Sequence, residues 1–321
     1  MSEHCLPWAE GHTPLMLAPM QGLTNRGLRA IYAKSAHPDL LFTEFVQVRA
    51  GAREPIAPVD LKEAQATHEQ IPLVVQLIGR PDAGVVEAAR QLASLGVRHI
   101  NLNMGCPFGR MRSHLAGGGM FCDPDSILPL LEALRPEVRG SLSVKTRAGY
   151  ADGEEILELA PLFEAGGVDF LILHPRTVLQ RYEGAADHAI TRALVERTRL
   201  PVIANGDIWR VEDAGQVLED TGAAGLMLGR GAIADPLLFE RIRGRAPKRP
   251  TGAARKEELT GHLRALLAVY QELFCGEVQV ISKLKEAVKP VEDPELQRWK
   301  KKLTRCRSLV GIQALLEPAS D

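Results

Sequence analysis

The feature that most limits how this chain can fold is an alternation of short apolar segments with helix-forming segments. The apolar segments occupy residues 15–21, 41–48, 72–79, 99–105, 142–147, 169–176, 201–207 and 225–231. Amphipathic stretches separate most of them, for example residues 82–95, 125–134, 154–164 and 211–220. Eight strand-helix units within about 240 residues predict an α/β fold, the (β/α)8 TIM barrel.

The ends of the predicted helices carry residues that start and stop helices. Aspartates stand where N-caps are needed and glycines where helices must end, at Asp82, Asp123, Asp152, Gly96, Gly166 and Gly222. Residues 50–70 suggest a loop with one helical turn. The alternative fold is a doubly wound open sheet, which normally has a glycine-rich turn after its first strand. Here that turn is Ala18-Pro19-Met20-Gln21-Gly22, without the G-x-G-x-x-G pattern.

The last quarter of the chain has a different pattern. Residues 253–274, 278–288, 293–303 and 308–317 have helical spacing, and no apolar strand lies between them. They follow a link rich in proline and arginine, RAPKRPTG. We therefore expect a barrel domain of residues 1–243 and a small helical domain of residues 244–321.

Charge is distributed unevenly between these two parts. Residues 245–321 contain 15 Lys and Arg against 10 Asp and Glu, whereas residues 1–244 contain 24 against 30. A basic helical part on an acidic main domain is typical of a protein with a polyanionic partner. Charge alone leaves open a simpler interpretation, which is a solvated helix surface.

The cysteines and the apolar runs limit the cellular setting. Five cysteines, at positions 5, 106, 122, 275 and 306, form no C-x-x-C pair. This pattern argues against disulfides and a zinc site, and it favours a reducing compartment. No apolar run approaches the roughly 18 residues that span a bilayer, and the N-terminus lacks the pattern of a signal peptide. We expect a cytoplasmic monomer with no metal and no membrane partner.

Polar residues lie at the C-terminal end of every predicted strand. In a TIM barrel these ends form the mouth where active sites lie, and a polar group buried there is costly without a partner. A single residue of this kind more often has a structural role than a functional one. The same placement on all eight strands, however, predicts a ligand in the mouth. The residues are Met20 with Gln21, Glu44, Gln76, Asn103 with Cys106, Lys145 with Arg147, His174 with Arg176, Asn205 with Asp207, and Gly229 with Arg230.

The last two strands indicate a phosphate on that ligand. ANGD at residues 204–207 and LGRG at residues 228–231 place glycine backbone beside an arginine, with a helix predicted soon afterwards. TIM barrels often bind phosphate at this position. His174, on the preceding strand, fits a phosphate contact, a ring contact or a satisfied core histidine.

Three further side chains suit a ring in the mouth. Lys145 could stabilise negative charge on a cofactor ring, or it could form an ion pair with Glu44 or Asp207. Gln76 and Asn103 suit the edge of a pyrimidine-like ring, because an amide both donates and accepts hydrogen bonds.

The motifs APMQG, TEFVQV, VVQLIG, NLNMGCP, AGGGM, SVKTR, HPRT, ANGDI and GRGA occur in this order within residues 14–243. With them the chain resembles the tRNA-dihydrouridine synthases, FMN-dependent enzymes that reduce a uridine in the D-loop of tRNA. The basic helical tail is similar to the tRNA-binding domain of that family. The TEF-V pattern and the length of the tail resemble the branch that modifies position 16.

The resemblance implies a role for each matching residue. The residues implied to hold FMN are Pro19, Met20, Gln21, Gln76, Lys145, His174, Asn205, Gly206, Asp207, Gly229 and Arg230. Asn103 would face the target uracil, and Cys106 would stand on its far side as the proton donor. The residues implied to contact tRNA are Gln47, Tyr182, Lys283, Lys285 and one of Arg305 or Arg307.

The resemblance also implies the reaction. NADPH or NADH would reduce the flavin, hydride would pass to uracil C6, and the thiol of Cys106 would protonate C5. A thiol with an ordinary pKa of about 8.5 is still mostly protonated at neutral pH, so it can donate the proton to C5.

The sequence departs from the family pattern in three places. Phe108-Gly109-Arg110 follows GCP where relatives have a small residue or Pro and then lysines, so Arg110 or Arg112 would have to supply the positive charge. Pro175 replaces a glycine and removes a backbone donor. Gln47 stands where relatives that act on position 16 commonly have arginine.

Two other functions remain open at this stage. The chain could be a different FMN-dependent barrel enzyme that reduces a free pyrimidine, but that leaves the basic tail without a purpose. It could also be a non-catalytic RNA-binding protein, but binding alone needs none of Gln76, Asn103, Cys106 and Lys145.

Overall fold

The computed structural model describes residues 6–49, 51–68, 70–108 and 115–317. Nine strands form one parallel sheet. They are β1 (Leu15–Leu17), β2 (Leu40–Phe42), β3 (Val46–Gln47), β4 (Leu73–Ile78), β5 (His99–Met104), β6 (Leu142–Arg147), β7 (Phe170–His174), β8 (Val202–Asn205) and β9 (Gly225–Leu228).

The sheet closes into a ring of eight strands. β1 pairs with β2 on one side and with β9 on the other, and β2 pairs with β4, from which the order continues through β8 to β9. At the closure Leu17 lies opposite both Leu41 and Leu228. The predicted TIM barrel is therefore confirmed, and the open doubly wound sheet is excluded.

The segment predicted as one strand at residues 41–48 forms β2 and β3 with a bulge between them. Phe42 pairs with Val74, whereas Val46 pairs with Leu77, so three residues of this strand face two of β4. Within the bulge the Thr43 hydroxyl accepts the Gln76 N–H at 3.1 Å. A bulge redirects side chains locally.

The helices of the barrel are α1 (Arg26–Ser35), α2 (Pro58–Ala64), α3 (Ala83–Ser94), α4 (Ile127–Leu134), α5 (Glu155–Ala165), α6 (His188–Arg197), α7 (Val211–Thr221), α8 (Arg230–Ala234) and α9 (Leu238–Ile242). Asp82 caps α3, and Gly222 ends α7 in the left-handed conformation, as predicted. Residues 50–70 contain more helix than predicted, because Pro58 starts a seven-residue helix.

Two predicted N-caps are wrong. Asp123 makes no capping bond, because a short 3-10 helix at Pro124–Ser126 precedes α4. Asp152 lies two residues before the cap position of α5, which Glu154 occupies, although its carboxylate accepts the Glu154 N–H at 3.0 Å. The Glu155 carboxylate instead accepts three N–H groups of residues 150–152.

The lower half of the barrel interior is apolar. Met16, Phe42, Phe170 and Met227 are buried there. Trp8 packs edge-on against Phe170 with ring centroids 4.9 Å apart. Because apolar side chains fill this end, polar side chains that point inward are concentrated nearer the mouth.

Four helices follow the barrel: α10 (Gly252–Leu273), α11 (Glu277–Val288), α12 (Gln297–Arg305) and α13 (Leu309–Leu316). They match the four predicted helical segments. Their apolar side chains join those of β1, α1 and α7–α9 in one continuous hydrophobic core. No helix in the described part of the chain combines the length and the apolarity that crossing a bilayer demands.

Buried ion pairs join the same parts. Arg241 of α9 is only 1% exposed and bonds the Asp235 carboxylate at 2.8 Å and also Glu258 of α10. Arg255 of α10 bonds Asp235 and Asp293. The barrel and the helices after it are thus connected by charge as well as by apolar packing.

Replacement of Arg241 by alanine should strongly destabilise the fold, because it removes a buried guanidinium that pairs with both Asp235 and Glu258 and leaves Arg255 as the cation between them. Loss of one partner of a buried ion pair costs about 3–5 kcal/mol, which urea unfolding would measure. Arg192→Ala is the matched control, since its pair with Glu196 is exposed on both sides. Equal stability of the two variants would contradict this interpretation.

Candidate active site

Two adjoining cavities open at the C-terminal ends of the strands. One has a volume of about 120 Å³ and lies against the ends of β8 and β9. The other has a volume of about 270 Å³ and lies against the ends of β4, β5 and β6. They share Pro19, Met20, Lys145, His174 and Tyr182, so they form one continuous slot.

The slot contains most of the predicted site. The cavity at β8 and β9 is also lined by Asn205, Gly206, Asp207, Gly229 and Arg230, and the other by Gln21, Gln76, Asn103 and Cys106. All eleven residues predicted to hold a cofactor therefore line one opening or the other.

The loop after β1 is held in place from three sides. The Met20 N–H donates to the Thr24 hydroxyl at 2.8 Å, and the Gly22 N–H donates to the Glu44 carboxylate at 2.7 Å. Lys283 of α11 donates to the Gly22 carbonyl at 2.6 Å. Burial raises the pKa of Glu44, while the Gly22 N–H and the charge of Lys283 oppose that rise.

A relay of buried amides crosses the barrel floor beneath the slot. The Asn103 amide donates to the Gln76 carbonyl oxygen at 2.8 Å, and Gln76 donates to Asn101 at 2.7 Å. Asn101 in turn donates to the Ser143 hydroxyl at 2.8 Å. The relay orients Gln76 and Asn103 before any ligand arrives.

Asn103 also fixes the catalytic candidate. Its side-chain oxygen accepts the N–H groups of Gly105 and Cys106, each at 3.0 Å. On the other side the Gly118 N–H donates to the Cys106 carbonyl at 3.0 Å. Gly117 has a φ of +56°, and a Cβ there would lie 3.0 Å from Cys106 Cβ. The glycine run after GCP thus allows close packing against Cys106.

The thiol of Cys106 faces the slot in its protonated form. Burial raises its pKa, and this effect outweighs the Phe108 N–H bond and the positive charge of Arg147. Arg147 donates to the Gly105 carbonyl at 2.8 Å and to the carbonyls of Thr177 and Arg181. It therefore connects the cysteine loop to the loop after β7.

Lys145 lies where the two cavities meet. Its ammonium donates to the Asn205 side-chain oxygen at 2.9 Å. Burial, with a smaller effect from Arg147, lowers its pKa to about 7. Among the described residues it forms no ion pair with a carboxylate, so the alternative pairing with Glu44 or Asp207 is wrong. A buried ammonium with a lowered pKa is stabilised when a ligand places negative charge beside it.

His174 is neutral in this environment. Burial, together with the charges of Lys145 and three arginines, lowers its pKa to about 2. Arg176 contacts its Nε2 at 2.9 Å. Because a guanidinium can only donate, Nε2 must be the acceptor, and the ring proton lies on Nδ1.

The loops after β7, β8 and β9 are joined by one carboxylate. Asp207 accepts the Ala186 N–H at 2.8 Å and the Arg176 guanidinium at 2.6 Å, and it lies 3.4 Å from Arg230. Burial raises its pKa, but these donors and charges more than offset the effect, so its pKa is lowered. Gly206 has a φ of +127°, and a Cβ there would lie 2.9 Å from the His174 ring.

Tyr182 forms the outer wall of the slot. The guanidinium carbons of Arg147 and Arg230 lie 5.4 Å and 5.2 Å from its ring centroid. Arg230 also lies 5.2 Å from the ring of Trp209, a residue of the cavity wall that sequence reasoning missed. Sequence reasoning missed Asn101 and Ser143 as well, although Asn101 is two residues from Asn103 and so shares its inward face.

The residues predicted to hold tRNA lie outside the slot, except Tyr182. Gln47 is exposed on β3, and Arg305 and Arg307 are exposed near the end of α12. Lys285 is half-buried on α11, and Lys283 is bonded to Gly22 as described. The proposed substitutes Arg110 and Arg112, together with Gly109, lie outside the described residues.

Within the described ranges, no cluster of three or more His, Cys, Asp or Glu residues is arranged to hold a metal ion. The polar groups of the slot are instead amides, an ammonium, guanidiniums, a thiol, the His174 imidazole, the Tyr182 hydroxyl and the Asp207 carboxylate, which pairs with Arg176. This set suits an organic ligand that carries a phosphate.

Comparison with known protein sequences gives a consistent result. The profile of the family described as dihydrouridine synthase (Dus) matches residues 16–319. A probable tRNA-dihydrouridine synthase of Rhodobacter capsulatus is 35% identical over 264 residues, which are 80% of this chain and 81% of the relative. A tRNA-dihydrouridine(16) synthase of Haemophilus influenzae is 33% identical over 249 residues, 74% of this chain and 78% of the relative.

Solved structures agree on the fold. Histamine dehydrogenase from Rhizobium sp. 4-9 superposes with a TM-score of 0.57 at 12% identity, covering 80% of this chain and 49% of that chain. Morphinone reductase superposes with a TM-score of 0.52 at 16% identity, covering 75% of this chain and 88% of that chain. At this level of identity the likeness concerns the barrel alone.

The raised pKa of Cys106 predicts how the thiol reacts. Only the thiolate is alkylated efficiently, so the rate with iodoacetamide should stay low at neutral pH and reach half its maximum at a pH above the ordinary pKa of a cysteine thiol. Peptide mass spectrometry across the pH range would measure this rate, with exposed Cys275 as an internal reference. If the alkylation rate reached half its maximum near neutral pH, the thiol would be largely ionised there. That result would rule out Cys106 as a proton donor.

Proposed function

The chain belongs to the dihydrouridine synthase family, and from this premise we propose that it reduces the C5–C6 double bond of a uridine in tRNA with a flavin cofactor. The observation that carries the proposal is the shared slot. A protonated thiol, an ammonium that bonds an amide oxygen and a set of fixed amides line the same opening.

The residues of the slot fit FMN. Lys145 is partnered only by an amide oxygen among the described residues, which suits an electron-rich ring. Arg230 is partly exposed toward the cavity at β8 and β9, where it can meet a phosphate. Gly206 and Gly229 lie in the same wall. A neutral His174 with its proton on Nδ1 offers a donor to the ribityl chain or phosphate.

When bound, the flavin would supply hydride to uracil C6. The role of Lys145 is to balance negative charge nearby; such charge raises the pKa of the ammonium from about 7 and keeps it protonated.

The role of Cys106 is to complete the addition. Hydride at C6 leaves negative charge on the uracil, and the S–H bond breaks as its proton moves to C5. Because the pKa of the Cys106 thiol is raised, the resulting thiolate readily takes a proton back from water at the mouth. Asn103 and Arg147 hold the N–H and the carbonyl of the Gly105–Cys106 peptide bond, next to the residue that carries the sulfur, during this exchange.

We assign the parts of the chain accordingly. Residues 1–243 form the catalytic domain, and residues 244–321 form the domain that grips tRNA. The exposed cations Arg305 and Arg307, with Lys285, suit contacts to phosphates. Lys283 contributes differently, because its ammonium holds the Gly22 carbonyl rather than facing solvent.

We also propose a target position, a reductant and a cellular location for this enzyme. The relative from Haemophilus influenzae is named for position 16, which supports uridine 16 of the D-loop as the target. NADPH or NADH serves as the reductant. The enzyme acts in the cytoplasm as a monomer and uses no metal ion. A free pyrimidine is the second candidate substrate, and the basic helical domain favours tRNA over it.

The first test of this function is Cys106→Ala in a strain that lacks this gene. Wild-type protein should restore dihydrouridine at position 16 of tRNA, whereas the variant should leave the position unmodified, because loss of a general acid costs about 100-fold or more. Both purified proteins should retain bound flavin, which absorbance would show. The measurement is a map of dihydrouridine along the tRNA.

Cys275→Ala is the control, since Cys275 is exposed outside the slot and its loss should change nothing. A flavin-free wild-type protein would contradict the proposal. Full activity of Cys106→Ala would show that the thiol is not the proton donor. Dihydrouridine restored at a position other than 16 would show that the target is a different uridine.

The second test separates the two lysines of α11. Lys285→Ala should weaken tRNA binding and reduce the slope of log Kd against log salt by about 1, because one phosphate contact is lost. Lys283→Ala should leave this slope unchanged and lower the thermal stability, because its bond is internal. Anisotropy titrations at several salt concentrations would decide; identical slopes for both would refute the assignment.

A further inference from the structure

We infer that Phe108 and Tyr182 form an aromatic clamp at the rim of the slot that stacks a nucleobase next to the reduced uridine. The inference rests on the proposed function and adds a binding site for a second, unreduced base of the same RNA.

Both rings are unusually exposed for their size. Phe108 is 53% exposed and Tyr182 is 50% exposed, yet both line the cavity that contains Cys106. Exposed aromatic rings beside a site of chemistry suggest a ligand with a flat apolar face. Unpaired bases of RNA have such faces, and they stack on aromatic side chains with little regard to sequence.

The two rings pack against each other across the rim, since the centroids of aromatic pairs in contact lie about 4.5–7 Å apart. Their centroids are 6.4 Å apart and their planes are inclined by 34°. A flat ring between two others needs a separation of about 7 Å, twice the contact distance of about 3.5 Å between carbon atoms. A small widening and a flattening of the tilt would therefore admit a base.

The clamp is held at both of its sides. The guanidiniums of Arg147 and Arg230 fix the ring of Tyr182 by cation–π contacts. On the other side, Phe108 follows Cys106 by two residues, and its backbone N–H lies close enough to the sulfur to act against the rise in the pKa of the thiol. The clamp thus has a fixed relation to the thiol.

The stacked base is a neighbour of the target rather than the target itself. The reduced uracil must lie deeper, where Cys106 and Lys145 both reach the cavity. Stacking of the adjacent base outside would replace the stacking that is lost when the uridine leaves the RNA stack.

The experiment measures binding of an unmodified tRNA transcript to flavin-loaded wild type and to three variants at position 108. Phe108→Ala should weaken binding about tenfold, within the range found for loss of one base–aromatic stack. Phe108→Leu keeps apolar bulk but has no aromatic face, so it should resemble alanine. Phe108→Trp should bind at least as tightly as wild type.

The salt dependence of binding separates loss of stacking from loss of a phosphate contact, because only the latter changes the slope of log Kd against log salt. Stacking releases no counterions, so the lines of log Kd against log salt should be parallel for all four proteins. Reduction of the flavin by NADPH should be equal in all four, and turnover of tRNA at saturation should change less than about twofold.

A wild-type Kd for Phe108→Ala, recovery by leucine, or a changed salt slope would each overturn the clamp. The outcome is separate from that of the proposed function. If wild-type protein binds tRNA but reduces no uridine, the proposed reaction fails, while the binding series still decides whether Phe108 stacks a base.

Discussion

The site depends on one side chain, the amide of Asn103. Its nitrogen is tied to Gln76 on the neighbouring strand, and its oxygen accepts the N–H groups of Gly105 and Cys106. The rigid floor of the barrel is thereby connected to the backbone of the loop that carries the thiol. A loop of this kind would otherwise lose positional accuracy through its own flexibility. The placement of the Cys106 sulfur at the slot follows from this connection.

Much of this arrangement could be predicted because the governing pattern is local. Alternation along each strand decides which side chains point inward, and the closure of a parallel barrel brings all the strand ends together. Cys106, Lys145, Asn205 and Arg230 were therefore identified from their places at the ends of strands. The four terminal helices were likewise visible in their spacing, because each buries one apolar face.

The rest depends on contacts between residues far apart in the chain. Nothing near Lys283 indicates that its ammonium bonds Gly22, which lies 261 residues earlier. The partner of Lys145 was also not predictable, because Glu44, Asp207 and Asn205 all belong to the same mouth. Only the structure shows that Glu44 bonds the Gly22 N–H and that Lys145 bonds Asn205. The wrong caps at Asp123 and Asp152 have a similar cause, since a 3-10 turn and the Glu155 carboxylate compete with them.

The bond from Lys283 to the loop after β1 also bears on how target positions are selected. Two residues before the bonded carbonyl of Gly22 lies Met20, which lines both cavities. A rotation of the terminal helices about the barrel would have to break this bond and to open the shared hydrophobic core. The terminal helices are therefore held at one distance from the thiol, and under the proposed function this distance, and not closure of a hinge, would decide which nucleotide reaches the sulfur.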